Sequence, residues 1–317
     1  MLHERQAELL GEEIEAALAS LSDISGLYDL VKNPLAEAGR GLAVKNERGR
    51  PWPLLPLMVC EAISGHYGQA LPAAAALQLL RAAAEVFDDI EDADSSESLS
   101  ARHGFAIAVN VATTLVIVAE RAIVRLEAKG VEPRVIVRTM DTVNAFHTAA
   151  CAGQHLDLSL TVETGISEDM YLKVIGMKSA YASECACNIG ALLANANQEL
   201  IDTFSSFGRN LGMVAQIAND IQGITLGTDI IKRKMTLPVI FALGHADGEE
   251  RSRFKGIFLE QTAAICDPAP IRDLLFRAGA IHYATVKMEF YKQLAAGALS
   301  EAARSGASVE RLRLFLE

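Results

Sequence analysis

Val86-Phe87-Asp88-Asp89-Ile90-Glu91-Asp92 closes a long alanine-rich stretch, and its last five residues read D-D-I-E-D. Most residues from Leu77 to Phe87 are apolar and Pro72 suits a first helical turn, so the spacing predicts one buried helix over about 72–92. Residues three and four apart share a helical face, so Asp88, Asp89 and Asp92 point one way, with Glu85 one turn earlier. Carboxylates crowded on one face repel each other unless a hard cation or a cluster of donors stands between them. Mg²⁺ suits this role because it takes oxygen ligands, keeps several waters and binds through one or two carboxylates plus a substrate phosphate. An arbitrary acidic run is more often a solvated helix end. Here the apolar run before it argues for a buried helix that delivers its carboxylates to a cavity.

The rest of the chain reads as helix too. Periodic segments cover about 4–22, 54–65, 102–128, 132–152, 167–197, 199–221, 229–243, 250–262, 271–303 and 309–316, and Gly153 to Leu158 interrupts or ends one of them. Strand-like alternation is nearly absent, which predicts an all-α fold of ten or more helices. At 317 residues and 50% hydrophobic content the chain can bury a large core, and no linker divides it, so residues 1–317 are read as one domain.

A net charge of −11 argues against nucleic acid or an anionic membrane surface as the main partner, since both need clustered Lys and Arg. Met1 to Arg5 lacks a signal-peptide layout, and the apolar stretch Phe105 to Ala119 is broken by Asn110, Thr113 and Thr114. These features predict a cytoplasmic protein with no integral membrane segment. The five cysteines have no disulfide or zinc spacing and read as plain thiols.

A second constellation lies at Gln216-Ile217-Ala218-Asn219-Asp220-Ile221-Gln222, read as a helix end, where Gln216, Asn219, Asp220 and Gly223 share a face. Asp229 follows, then the consecutive cations Lys232, Arg233 and Lys234, then Thr236-Leu237-Pro238. A lone run of cations is usually a solvated face. Lys178, inside an otherwise apolar helix, is harder to dismiss because a buried lysine needs a partner. Two acidic helix ends with a few convergent cations suit a diphosphate held between Mg²⁺ and Lys or Arg donors.

Assembled, these residues make the chain similar to the trans-isoprenyl diphosphate synthases, the polyprenyl synthetase family. Asp88-Asp89-Ile90-Glu91-Asp92 matches the first aspartate motif, and Lys178-Ser179 resembles the family's Lys-Thr. Gly153-Gln154 with Asp157-Leu158 resembles its G-Q-x-x-D-L, Gln216 the Gln before the second motif, and Asp229 to Pro238 its D-x-x-x-x-K-x-T-L-P. The order and spacing carry the resemblance, since any one motif is weak. It implies a helical barrel around a central apolar pocket, and a homodimer. Mg²⁺ would sit on Asp88, Asp89, Asp92 and Asp220, with Lys178, Gln216, Lys234, Arg48 and Arg50 binding the diphosphate of an allylic prenyl substrate. Asp88, Asp89, Asp92, Lys178 and Lys234 would carry catalysis. The tail would run past Leu80, Ala83, Ala84 and Phe87.

Three departures bear on the reaction. The second motif, D-D-x-x-D in the family, reads Asn219-Asp220-Ile221-Gln222-Gly223. The Arg-Arg-Gly that grips isopentenyl diphosphate is replaced by Ser95 to Ser100, with Arg102 the first cation, and the upstream basic motif survives loosely as Arg48-Gly49-Arg50-Pro51. One diphosphate site is well furnished and the other is not. This leaves three readings open: a prenyltransferase in the broad sense, including relatives that prenylate a peptide tryptophan; a terpene cyclase on the same scaffold; and a non-catalytic partner subunit, which usually loses the first motif.

Overall fold

The computed structural model describes residues 2–36, 41–43, 50–92, 97–159, 167–259 and 267–317, without the side chains of Leu2, Ser25 and Asp92. Every regular element among the described residues is helical. In chain order these are α1 (Leu2–Leu18), α2 (Ser25–Lys32), α3 (Leu55–Ser64), α4 (Leu71–Asp92), α5 (Leu99–His103), α6 (Phe105–Val124), α7 (Pro133–Ser159) and α8 (Glu168–Lys178). Then follow α9 (Tyr181–Leu193), α10 (Gln198–Leu226), α11 (Thr228–Ile231), α12 (Leu237–His245), α13 (Gly248–Phe258), α14 (Ala269–Arg277) and α15 (Ala280–Arg304), with short 3-10 turns between some of them.

The differences from the periodicity reading have tertiary causes. Helix α7 continues through Gly153 instead of stopping there, because the missing side chain admits α8: a Cβ at 153 would lie 2.7 Å from Met177 Cβ and 2.8 Å from Lys178 N. The run predicted over 167–197 breaks at Ser179-Ala180, where Ala180 presses against Gly212 of α10, a Cβ at 212 falling 2.9 Å from Ala180 Cβ. The run 271–303 breaks at Gly279, whose φ of +75° suits glycine.

The chain divides into two compact units, residues 1–145, 185–205 and 299–317 in one, and 146–184 and 206–298 in the other. In the first, α4 packs along α6 and α1. Ala73 to Ala76, Leu79, Ala82 and Ala83 are buried, and short side chains let neighbouring helices come close. The ends of this unit are tied together: Arg311 pairs with Glu61 and donates to Gln6 Oε1 at 2.7 Å, Ser308 N donates to Ala62 O at 2.7 Å, and Trp52 packs on Phe315 at 5.1 Å. Buried Glu13 is neutralised by Arg125 at 2.7 Å and Lys129 at 3.2 Å. In the second unit, Ile224, Ile230, Val239, Phe254, Phe258 and Leu275 form one core, and Tyr171, Ile175, Met213, Ile217, Leu237 and Ala284 another.

Two helical stretches, Gly68–Glu91 and Phe105–Lys129, are long and apolar enough to cross a membrane by length and composition. The first behaves as a core helix, with 72% of its most apolar window buried, against 44% in the second. Along α6 an exposed, uncharged stripe runs through Ala106, Asn110, Thr113 and Ile117 at helical spacing, and meets the exposed charges of Glu120 and Arg121 before Val124.

Candidate active site

In the first unit α4 brings Asp88 and Asp89 to its C-terminal end, both half-buried, with Glu91 exposed. Helix polarity makes this an unfavourable place for carboxylates, because the last turn carries partial negative charge, and each mismatch costs about 0.3–1 kcal/mol. No basic residue stands in that turn to offset it. One turn earlier Glu85 is paired with Arg81 at 3.2 Å, so that acid already has a cation. Among the described residues no group of three His, Cys, Asp or Glu side chains is set to hold a metal. Two adjacent half-buried carboxylates still fit an ion that protein and substrate phosphate hold jointly. Leu80, Ala82 and Ala83 are buried below this end, Phe87 is half-buried, and Ala84 is exposed.

The other predicted residues lie in the second unit, apart from Asp92, the last residue of α4, whose side chain is not among those described, Arg48, which is outside the described residues, and Arg50, half-buried in the first unit. Lys178, the last residue of α8, reaches Asp157 Oδ2 of α7 at 2.7 Å. The Lys-Ser and G-Q-x-x-D-L motifs are therefore in direct contact, and Gly153 is what lets α7 approach this closely.

Asp220 is not at a helix end, since α10 runs on to Leu226. Its carboxylate is buried and accepts from Leu237 N at 3.0 Å, from Gln216 Nε2 at 3.0 Å and from the Tyr171 hydroxyl. Burial pushes Asp220 above the usual carboxylate range; the bonds from Tyr171, Leu237 and Gln216 oppose this and nearby Asp229 adds to it. The Tyr171 hydroxyl is held well above its ordinary value, by burial first and then by the charge of Asp220. Asp229 is likewise raised by burial, against the pull of Lys234 and Lys232. A Cβ at Gly223 would run into the Asp229 carboxylate, so the third position of the degraded motif is filled by an acid from six residues downstream. Lys234 is exposed, its backbone N bonded to Asp229 O at 2.9 Å. Arg233 before it has a φ of +53°, a left-handed conformation costly for a side chain this long.

Sequence reasoning passed over Tyr171, and it noted Asp229 only as the start of a motif, with no role in the site. A tyrosine on an apolar helical face reads as core, and its one signal is that a buried hydroxyl needs a partner. A cavity of about 310 Å³ also lies in this unit, lined by Met235, Ile240, Phe241 and Leu259 with Glu168 and Lys255, and none of the predicted site residues faces it. Glu168 there is tied to Lys287 at 2.8 Å and to the Tyr283 hydroxyl at 2.6 Å.

Comparison with known proteins adds the following. The family model described as polyprenyl synthetase matches residues 45–269. The geranylgeranyl diphosphate synthase of Mycobacterium tuberculosis is 28% identical over 254 residues, 77% of this chain and 72% of its own. The tryptophan prenyltransferase ComQ of Bacillus spizizenii is 26% identical over 238 residues, 73% of this chain and 81% of its own. The solved structure of geranylgeranyl pyrophosphate synthetase from Pyrococcus horikoshii has a TM-score of 0.83 at 27% identity, covering 99% of this chain and 94% of that one. The all-α isoprenoid synthase fold expected from the motifs is the fold this chain shares with it.

Proposed function

The chain belongs to the polyprenyl synthetase family and is a prenyltransferase, and on that premise we propose that it transfers the prenyl group of an allylic diphosphate in a Mg²⁺-dependent reaction, with residues 1–317 working as one domain in the cytoplasm. The observation that carries this reading is the pair Asp88 and Asp89, adjacent half-buried carboxylates at the C-terminal end of a core helix, a placement that suits a cation shared with a substrate phosphate. By the motif, Asp92 would join them. Mg²⁺ held there offsets the charge that develops on the departing diphosphate. Lys178, Gln216 and Lys234 are the donors that bind and orient the diphosphate oxygens, with Arg50 and Arg48 as further donors. Asp157 keeps the Lys178 ammonium in place between turnovers. Leu80, Ala83 and Phe87 flank the prenyl tail, and Ala84 leaves room for it. Cyclisation and a non-catalytic role are not favoured, since the relatives carry the names of synthases and a transferase.

The test is to incubate the protein and Mg²⁺ with C10, C15 and C20 allylic diphosphates, with and without isopentenyl diphosphate, and to analyse organic and aqueous products. Diphosphate release from C15 or longer substrates is expected. Preference for length follows from burial, at about 0.8 kcal/mol for each CH₂ removed from water. Ala84→Phe shifts preference toward shorter chains, because a ring would stand in the tail's path. Isopentenyl diphosphate is a poor co-substrate, as a diphosphate without a bidentate guanidinium clamp loses charge-assisted hydrogen bonds. No diphosphate release from any chain length would refute the activity. Efficient elongation would refute only the view of the acceptor.

The chain also pairs as a homodimer on this reading, and the exposed stripe of α6 supplies a surface for it. Ile117→Arg places a charge in that stripe, and sedimentation should then find a monomer where the wild type is a dimer. An unchanged sedimentation coefficient would move the interface elsewhere.

A further inference from the structure

We propose that Asp220, the surviving acid of the second motif, is a positioning residue in this chain: with Tyr171 it forms a clasp that holds the N-terminus of α12 and, through it, Lys234. The inference rests on the reading of Lys234 as a diphosphate donor and goes beyond it. It also departs from the metal role that the motif alone implies for Asp220.

The first ground is how the carboxylate is used. Asp220 is 4% exposed and takes three donors: Tyr171 and Leu237 N on Oδ2, and Gln216 on Oδ1. A carboxylate offers about four lone-pair sites, so little is left for an ion that demands near-octahedral geometry. The positions that would complete a metal set, Asn219 and Gly223, bring no carboxylate. The acid that fills the space of a side chain at 223, Asp229, already faces the charges of Lys234 and Lys232.

The second ground is the helix that Asp220 serves. Thr236 is the N-cap of α12, yet its hydroxyl makes no capping bond and is buried without a partner. Pro238 at the second helical position has no N–H to offer. The first free donor of α12, Leu237 N, is instead satisfied by Asp220 from 17 residues upstream. A carboxylate there is doubly favoured, by the hydrogen bond and by the positive end of the helix. Lys234 stands between two ties, its own N–H bound to Asp229 O at 2.9 Å and Leu237 N–H bound to Asp220 at 3.0 Å. Loosening the second tie frees the short non-helical run 234–236 that sets where the ammonium goes.

The test combines Asp220→Ala, Asp220→Asn, Tyr171→Phe and Lys234→Ala. The readouts are KM for the allylic diphosphate, the Mg²⁺ concentration for half-maximal turnover, Mg²⁺ binding in the presence of inorganic diphosphate, and the thermal midpoint. Asp220→Ala should raise KM about tenfold, in keeping with the cost of a displaced binding group. Adding it to Lys234→Ala should cost nothing further, because the two act through one ammonium. Asp220→Asn keeps an oxygen for Leu237 and Tyr171 and should recover most of the KM loss, with the Mg²⁺ dependence moved by less than about twofold. Should Asp220→Asn raise the Mg²⁺ requirement or weaken Mg²⁺ binding about tenfold or more, as loss of metal support commonly does, Asp220 is a ligand and the clasp is wrong. Additive effects of Asp220→Ala and Lys234→Ala would also overturn it. If Asp220→Ala fails to fold, Tyr171→Phe takes its place in the same comparison. If the wild type releases no diphosphate, the proposed function fails while the clasp stands or falls on stability: the Tyr171→Phe and Asp220→Ala shifts in thermal midpoint must be non-additive, and additive shifts reject it.

Discussion

Asp88→Ala abolishes diphosphate release while the thermal midpoint holds or rises. Losing the cation from the departing group removes several kcal/mol of charge stabilisation, which at about 1.4 kcal/mol per tenfold is on the order of 10³-fold in rate. Stability moves the other way for a local reason. Asp88 and Asp89 are neighbours at the C-terminal end of α4, where the helix carries partial negative charge and the last turn holds no basic residue. Deleting one of two like charges from that position relieves repulsion in the metal-free protein. Asp89→Ala should behave alike, whereas Glu91→Ala, on the exposed side of the same turn, should cost little in either measurement. The opposite signs of the rate and stability effects are the signature, because a residue that merely packs the helix end would lose both together. Undiminished turnover in Asp88→Ala would remove the metal hypothesis outright.

What the sequence shows best is what local periodicity controls. The segment predicted over 72–92 is α4, Leu71–Asp92, because a run of alanines and leucines with a proline at its start has few other ways to bury itself. The helix breaks were illegible where a distant contact makes them. Ser179-Ala180 contains neither Gly nor Pro, and the chain turns there because Ala180 meets Gly212 of α10. The sequence reads Asp220 at a helix end, yet α10 continues to Leu226, and Gly223 inside it makes room for Asp229. Partner choice is the least local property of all. That Lys178 needs a partner follows from its apolar neighbours, but that the partner is Asp157, 21 residues away, follows only from the packing of α7 on α8. Arg48 and the side chain of Asp92 lie outside the described residues, so their expected roles rest on the motif.

Lys178→Ala should lower the rate of diphosphate release by about 10²- to 10³-fold, the usual cost of losing one donor to developing negative charge. The ion pair with Asp157 sets the competing expectation. At 2.7 Å, with the Lys178 side chain 25% exposed and that of Asp157 45% exposed, the pair is partly solvated. Pairs of that kind contribute about 0–1 kcal/mol to stability, so a purely structural lysine would show a small fall in thermal midpoint and a rate scarcely changed. The two outcomes differ by orders of magnitude in rate and hardly at all in stability. Asp157→Asn adds a second axis. It keeps the lysine but removes its charged partner, so the ammonium is held less firmly before substrate arrives and is less neutralised when the diphosphate is present. KM should therefore change by no more than a few-fold while the rate of release stays within about an order of magnitude of wild type, since the donor itself remains. Lys178→Arg keeps the charge but exchanges a compact ammonium for a planar fork, and should recover only part of the loss. If Lys178→Ala and Asp157→Asn instead gave the same small loss in both rate and stability, the pair would be a strut between α7 and α8, and the diphosphate would have to be held by other cations.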